Sequence, residues 1–269
     1  MLRNNDPNEE FEKEIQVKEL IHDMRSKDKS VAGNMIQFKS FEKVLEKIKK
    51  GKKKTYDFLI KTGDKFKAVV FNLCKRMIEE ENFPKCFDRT NLVQIYKGKG
   101  SRDVLSNNRF IHTKEWLPRT CESLIVGEMK DSVFQSATKF QIGGQPKHRI
   151  QEHIFTMRSM MALYEFLDIP IIIQLYDIQK FFDKENLRDV MDTLYDIGVD
   201  PKMYRTWFLL NKNTTIRFKT ANGFTDWRNV GELPGQGSGG GAMASAANLD
   251  RGVDSYFSGS KAPTFAIHG

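Results

Sequence analysis

Apolar residues recur along the chain at two spacings, and the switches between them sketch its elements. Phe41, Val44, Leu45 and Ile48 fall at i, i+3, i+4 and i+7, and Phe66, Val69, Val70, Leu73 and Met77 continue the same rhythm further on. Each stretch predicts an amphipathic helix with one apolar face. Phe83-Pro84 ends the second. Leu92 to Tyr96 reads as a strand that runs into Lys97-Gly98-Lys99-Gly100, where two glycines suit a turn. Residues 114–165 read as largely helical. Ile169 to Tyr176 is a short, β-rich apolar run of the kind found in a strand buried on both faces, and it ends at Asp177.

Beyond that run the signals are those of helix ends and turns. Asp183 stands where an N-cap would, Leu187, Met191 and Leu194 share one helical face, and Gly198 occupies the left-handed position after its end. Asp200-Pro201 opens the next helix. Thr215 to Thr220 and Phe224 to Val230 flank Asn222-Gly223, which predicts an antiparallel pair, placed beside the strand over Ile171 to Asp177. A glycine cluster, Gly235-Gln236-Gly237-Ser238-Gly239-Gly240-Gly241, then leads into a helix of small residues from Ala242. Residues 1–33 are polar and poorly periodic and read as a tail or a helix, with the folded part expected over residues 34–269.

Composition narrows the partners. Of 269 residues, 39% are hydrophobic and 29% charged, enough apolar material for a core; 43 Lys and Arg against 35 Asp and Glu give a net charge of +8, which favours a polyanionic partner. The longest apolar run, Ile169 to Ile173, is interrupted by Pro170 and falls far short of the roughly 20 residues of a membrane-spanning helix, so no membrane partner is expected. The start, Met1 to Glu14, is acidic and polar, unlike a secretory signal. Cys74, Cys86 and Cys121 are widely spaced and match neither a disulfide framework nor a zinc pair, so reduced thiols and an intracellular location, nuclear or cytoplasmic, are expected. Eight lysines between Lys39 and Lys54 interleave with the Phe41 to Ile48 stripe, a basic face that can be simply solvated, can steer a nucleic-acid backbone or can act as a nuclear address.

Three segments carry candidate chemistry. In Ile171 to Asp183, an apolar run delivers Asp177, followed by Lys180-x-Phe182-Asp183. In Gly231 to Ser245, Gln236 and Gly237 sit within the glycine cluster; in Leu92 to Ile111, a basic turn precedes Asn107-x-Arg109-x-Ile111. Taken singly, Asp177 reads equally as a helix cap or surface carboxylate, Phe181 and Phe182 as core, and the basic turn as a solvated hairpin. Gly235-x-Gly237-x-x-Gly240 with Asp254 downstream also fits a dinucleotide fingerprint, although it lacks a complete βαβ unit.

In this order the three segments resemble the reverse transcriptases, RNA-directed DNA polymerases, and among them the non-LTR retrotransposon class, over about residues 40–257. Phe83-Pro84 and Gln141-x-Gly143-Gly144 add to the likeness. The resemblance implies an α+β fold, the fingers and palm of a right-hand polymerase, with RNA template, DNA primer and deoxynucleoside triphosphates as partners. It implies that Asp177 is catalytic and, with the backbone carbonyl of Ile178, binds metal, two Mg2+ ions being expected in the complete domain. Lys97 and Arg109 would meet nucleotide phosphates, Phe182 would lie beneath the sugar and exclude a 2′-hydroxyl, and Gln236 with Gly237 would contact template and nucleotide. Departures are visible: the family's first glycine before Gln-Gly falls on Leu233, and Gly241-Ala242 stands near its Ser-Pro. The resemblance further implies an Asp-Asp pair on a later hairpin and a thumb; Asp250 and Asp254 lie one helical turn apart and are not that pair. The expectation is therefore an incomplete domain, thumb absent, inactive alone, with a non-catalytic RNA-binding remnant as the alternative and a dinucleotide-binding protein behind it.

Overall fold

The computed structural model describes residues 36–51, 63–137, 142, 143, 145, 148–173, 175, 186–231 and 237–257. Helix α1, Phe38–Gly51, forms as its stripe predicts and buries Phe38, Phe41, Val44 and Leu45. Helix α2, Gly63–Glu79, lies beside it, with Phe71 set edge-on to Phe38 at 5.1 Å and tilted to Phe41 at 5.5 Å. Both pack on α3, Trp116–Ser136, which buries Cys121, Leu124, Ile125, Val126, Met129 and Val133 over a wide face. So wide a buried face makes it a central helix, although Arg119 and Asp131 remain exposed.

Helices α4, Ile150–Phe166, α5, Leu187–Asp196, and α6, Pro201–Asn211, follow. Asn186 caps α5 by accepting from the amide of Arg188 at 3.0 Å. Asp200 caps α6 by accepting from Lys202 and Met203 at 2.9 and 3.1 Å. Between them Gly198 takes φ 78°, the left-handed conformation that closes α5. Helix α7, Gly241–Phe257, rests on α5 and α3, and its buried Ala244 and Ala246 let it approach closely. A Cβ on Gly240, just before it, would stand 2.5 Å from the indole nitrogen of Trp207, so only glycine fits there.

The sheet has β2, Asn108–Lys114, at one edge, then β1, Arg89–Tyr96, then β3, Thr214–Thr220, which pairs with the short β4, Gly223–Phe224, and with β5, Arg228–Gly231. β1 and β2 form an antiparallel hairpin from Thr90↔Lys114 to Tyr96↔Asn108. β3 joins β1 in parallel, Arg89↔Thr215 to Leu92↔Phe218, and meets β5 antiparallel across an irregularity at Thr214/Thr215. Alternation along these strands puts Thr90, Leu92, His112, Lys114 and Thr214 on the buried face. The opposite face carries Arg89, Asn91, Val93, Ile95, Arg109, Ile111, Thr113, Thr215, Arg217 and Lys219, none of them buried.

The fold is mixed α/β, as the α+β expectation requires at that level. Four sequence readings are corrected. On α2 the buried face runs through Ala68, Val70, Phe71, Cys74, Met77 and Ile78, while Val69 is 62% exposed and Leu73 also faces outward. The Phe71 contacts with Phe38 and Phe41 set the helix rotation, so part of the apparent stripe points to water. The described part of Ile169 to Tyr176 is no buried strand: it pairs with no described strand, and Ile172 and Leu175 are 87% and 88% exposed. An apolar run becomes a strand only where an edge is available to complete its hydrogen bonds. The hairpin after α6 sits beside β1, and none of the described residues among 171–177 pairs with it. The N-cap of α5 is Asn186, closer to the helix start than Asp183, which lies outside the described residues.

Cys74 and Cys121 are buried free thiols and Cys86 an exposed one. A hydrogen bond with Cys74, together with burial, pushes the Cys121 thiol up, leaving it unreactive. Among the described residues no helix is long and apolar enough to cross a membrane.

The corrected face of α2 predicts a contrast in stability. Phe71→Ala should cost about 3–5 kcal/mol, as removal of a buried aromatic does. Leu73→Ala should stay within about 1 kcal/mol. Urea unfolding of the two variants measures both, and similar losses would contradict the rotation.

Candidate functional site: a basic hairpin and a glycine turn

The tip of the β1–β2 hairpin is held by asparagines. Asn107 donates its amide to the carbonyl of Ser101 at 2.8 Å, and buried Asn108 donates to Arg102 and Val104 at 2.9 and 2.8 Å. Gly98 and Gly100 take φ 79° and 71°, and a Cβ on Gly100 would lie 2.5 Å from the Asn107 amide nitrogen. Glycines are needed here for conformation and for close approach. The tip is therefore built, and it presents Lys97, Lys99 and Arg102 around a fixed frame. The Lys97 ammonium donates to the carbonyl of Ser106 at 2.9 Å, and the Arg102 guanidinium lies over the Tyr96 ring at 5.4 Å.

Arg109 pairs with Ile95 in the ladder, so it projects from the exposed face of β2 two residues along from Ile111. Gly237, with φ 99°, lies against that strand: a Cβ there would come within 2.9 Å of Ile111 Cγ2 and 3.1 Å of the His112 carbonyl oxygen. The structure thus brings Lys97, Arg109 and Gly237 to one hairpin, although Gly237 is far from the other two in sequence. In Asn107-x-Arg109-x-Ile111 the residues divide the work, since Asn107 braces the tip, Arg109 faces outward and Ile111 receives the glycine turn. Asp177, Ile178, Phe182 and Gln236 lie outside the described residues. Among the described residues no group of three or more His, Cys, Asp or Glu converges on a possible metal site.

Beneath the glycine turn is a polar anchor that motif reading did not find. The Lys114 ammonium donates to Asn211 Oδ1 at 2.7 Å and stands 3.5 Å from Glu122 Oε2, with side chains only 7% and 1% exposed. The Trp207 indole donates to Glu122 Oε1 at 3.3 Å, and Asn211 in turn donates to the Trp207 carbonyl at 2.8 Å. A small cavity between Thr90, Lys114, Glu122 and Gly237–Gly239 adjoins this network, and among the described residues the buried Thr90 hydroxyl meets no hydrogen-bond partner. Periodicity gives no sign of such a pair, because a Lys and a Glu at strand and helix positions ordinarily read as surface.

A second feature missed by the motifs lies on the exposed face. Arg217 donates from Nε to Asn91 Oδ1 at 2.7 Å, and its guanidinium carbon is 3.9 Å from the Phe224 ring centre and 4.4 Å from that of Trp227. Arg89 lies over Trp227 at 5.4 Å. The available signal was the basic residue at alternate positions of β3 flanked by two aromatic residues in its hairpin.

No protein-family model matches the chain, and a search of curated proteins finds no match.

The anchor sets a stability expectation. Lys114→Met leaves the Glu122 carboxylate buried without its counter-charge and should cost about 3–5 kcal/mol, much of it regained in Lys114→Met/Glu122→Gln. Urea unfolding of the single and double variants reads the difference; no recovery would mean the ion pair is not what holds this junction.

Proposed function

We propose that the chain is fingers and palm of a reverse transcriptase of the non-LTR retrotransposon class, extending a DNA primer on an RNA template. The observation that carries this reading is the seating of Gly237 on β2 beside Ile111, next to outward-facing Arg109 and below Lys97. A nucleotidyl-transfer site needs mobile or fork-shaped cations for the triphosphate and a backbone that approaches base and sugar closely, and here the two come from distant segments to one strand. Lys97 and Arg109 hold the phosphates, Arg109 through its planar fork. In this reading Gln236 and Gly237 would contact template and nucleotide, and Phe182 would exclude a ribose 2′-hydroxyl. Asp177 and the Ile178 carbonyl would hold magnesium, whose chemistry there would be activation of the primer hydroxyl and stabilisation of the leaving pyrophosphate. One aspartate cannot by itself hold two like-charged ions close together, so transfer requires further carboxylates beside Asp177.

The exposure of Ile172 and Leu175 favours a second reading, an RNA-binding remnant without catalysis, since a catalytic aspartate needs a rigid strand beneath it.

Primer extension on a primed RNA template, with magnesium and deoxynucleotides, separates the two when performed with the product of the complete reading frame that contains this sequence. The polymerase reading expects extension that Asp177→Asn abolishes while RNA binding survives. The remnant reading expects RNA binding with no extension by either protein. Arg109→Ala should raise the KM for deoxynucleotides, and Phe182→Ala should increase ribonucleotide incorporation relative to deoxynucleotide. Extension persisting in Asp177→Asn would overturn the assignment of that residue.

A further inference from the structure

The exposed sheet face holds a feature that the hairpin-tip cations do not explain. Phe224, Arg217, Trp227 and Arg89 form a contiguous group of two rings and two guanidinium planes, ordered by the bond from Arg217 to Asn91. Core packing does not account for it, because Phe224 remains 50% exposed on a two-residue strand at the margin of the sheet. Lys219, opposite Phe224 in the ladder, adds a further exposed cation. Over residues 214–231 the bases are Arg217, Lys219 and Arg228, and the acid is Asp226 alone. Arg228 pairs with Ile216 and so belongs to the other face.

From this we infer that the β1–β3–β4 face is a stacking site for single-stranded RNA, built on Arg89, Asn91, Arg217, Lys219, Phe224 and Trp227. Of the proposed nucleotide-phosphate cations, Lys97 stands at the hairpin tip and Arg109 on the same sheet face, across from Ile95 and toward the tip from this group. Guanidinium contact on the rings holds them upright and leaves ring surface for a base, while Lys219 and Arg89 meet the phosphates alongside. Exposed bases have π-faces whatever their identity, so the site reads strand state rather than sequence. A duplex hides those faces inside its stack. A face working by charge alone would prefer the duplex, whose phosphates are denser. A stacking face prefers the single strand. The choice of RNA rests on the polymerase reading above; the stacking chemistry does not.

The test uses the whole 269-residue chain without magnesium or nucleotides, so it does not depend on catalysis. Fluorescence anisotropy follows a short labelled single-stranded RNA, the matching RNA duplex, and competition by polyphosphate. The single strand should bind more tightly than the duplex. Phe224→Leu and Trp227→Leu should each weaken single-strand binding by about fivefold or more, the scale of one lost base stack, and leave polyphosphate binding unchanged. Single-stranded RNA should also quench tryptophan emission of the unmodified protein, and the quenching should vanish in Trp227→Leu; Trp207 is fully buried, and Trp116, half-buried at the start of α3, remains in that variant, so the loss assigns the quenching to Trp227. Trp227→Phe, which keeps a ring, should retain most of the affinity. Equal losses for RNA and polyphosphate, preference for the duplex, or no quenching in the unmodified protein would each overturn the inference. Stacking without primer extension would remove the polymerase reading and leave this site standing. Extension with unaltered binding in the ring variants would do the reverse.

Discussion

Where the sheet meets the helices, an ammonium and a carboxylate are buried together. Lys114 ends β2, Glu122 lies on α3, and Asn211 and Trp207 of α6 complete their hydrogen bonds. Removing two charges from water is costly unless geometry and further donors compensate, so such a pair fixes position more than it adds stability. It fixes three elements at once, the edge strand, the central helix and α6. The glycine cluster then follows from it. A Cβ on Gly239 would touch Glu122 at 3.5 Å, and one on Gly240 would collide with the Trp207 indole. The contact at Gly239 is an ordinary one, and it is at Gly240 that the turn can lie over the anchor only because there is no side chain. That placement carries Gly237 onto β2, beside the strand that bears Arg109. A buried polar junction thus sets the geometry of the exposed candidate site above it.

The second constraint is the parallel pairing of β3 with β1. It brings residues after α6 alongside the basic hairpin and gives the sheet two unlike faces. One face becomes half of a polar and apolar interior through Thr90, Leu92, His112, Lys114 and Thr214. The other is left open and collects arginine, lysine and two aromatic rings. Period-two alternation alone delivers this division, because a single register assigns every side chain in the strand. Shifting β3 by one residue would bury Arg217 and expose Ile216, which the desolvation cost of a guanidinium forbids.

Much of this was legible in the sequence wherever the signal was local. Gly198, Asp200-Pro201 and Asn222-Gly223 announced their turns because backbone conformation at a glycine or proline is decided within a few residues. The turn after β1 was marked by its glycines, though β2 was not read as a strand, and α1 followed its stripe through Leu45. What was not legible depended on partners. The rotation of α2 is set by Phe38 and Phe41 across the interface, so Val69 and Leu73 entered the apolar count without entering the core. The run from Ile169 looked like a buried strand by composition, yet β pairing is non-local and the described sheet offers it no neighbour. The parallel partner of β1 could not be read at all, since a strand carries no mark of what it pairs with. Of the candidate site, Lys97, Arg109 and Gly237 were named from motifs, while the Arg217 cluster escaped because none of its members belongs to one.

The use of arginine on the open face has a further physical consequence. A lysine at position 217 would keep its charge hydrated and its stem mobile, whereas a guanidinium is planar, weakly hydrated and able to lie flat between two rings while its Nε remains bonded to Asn91. The flat group does not compete with the rings for water, so both stay ordered at the surface without being drawn into a core. Order of that kind lowers the entropy lost when a planar partner arrives. Lys97 and Lys99 at the hairpin tip are instead ammonium groups on long stems, Lys97 donating to the Ser106 carbonyl at 2.9 Å. One sheet therefore presents two kinds of cation, planar guanidinium at β3 and ammonium at the tip. A planar cation can stack on a flat partner where an ammonium acts as a point charge, so the two ends of the sheet differ in the chemistry they present.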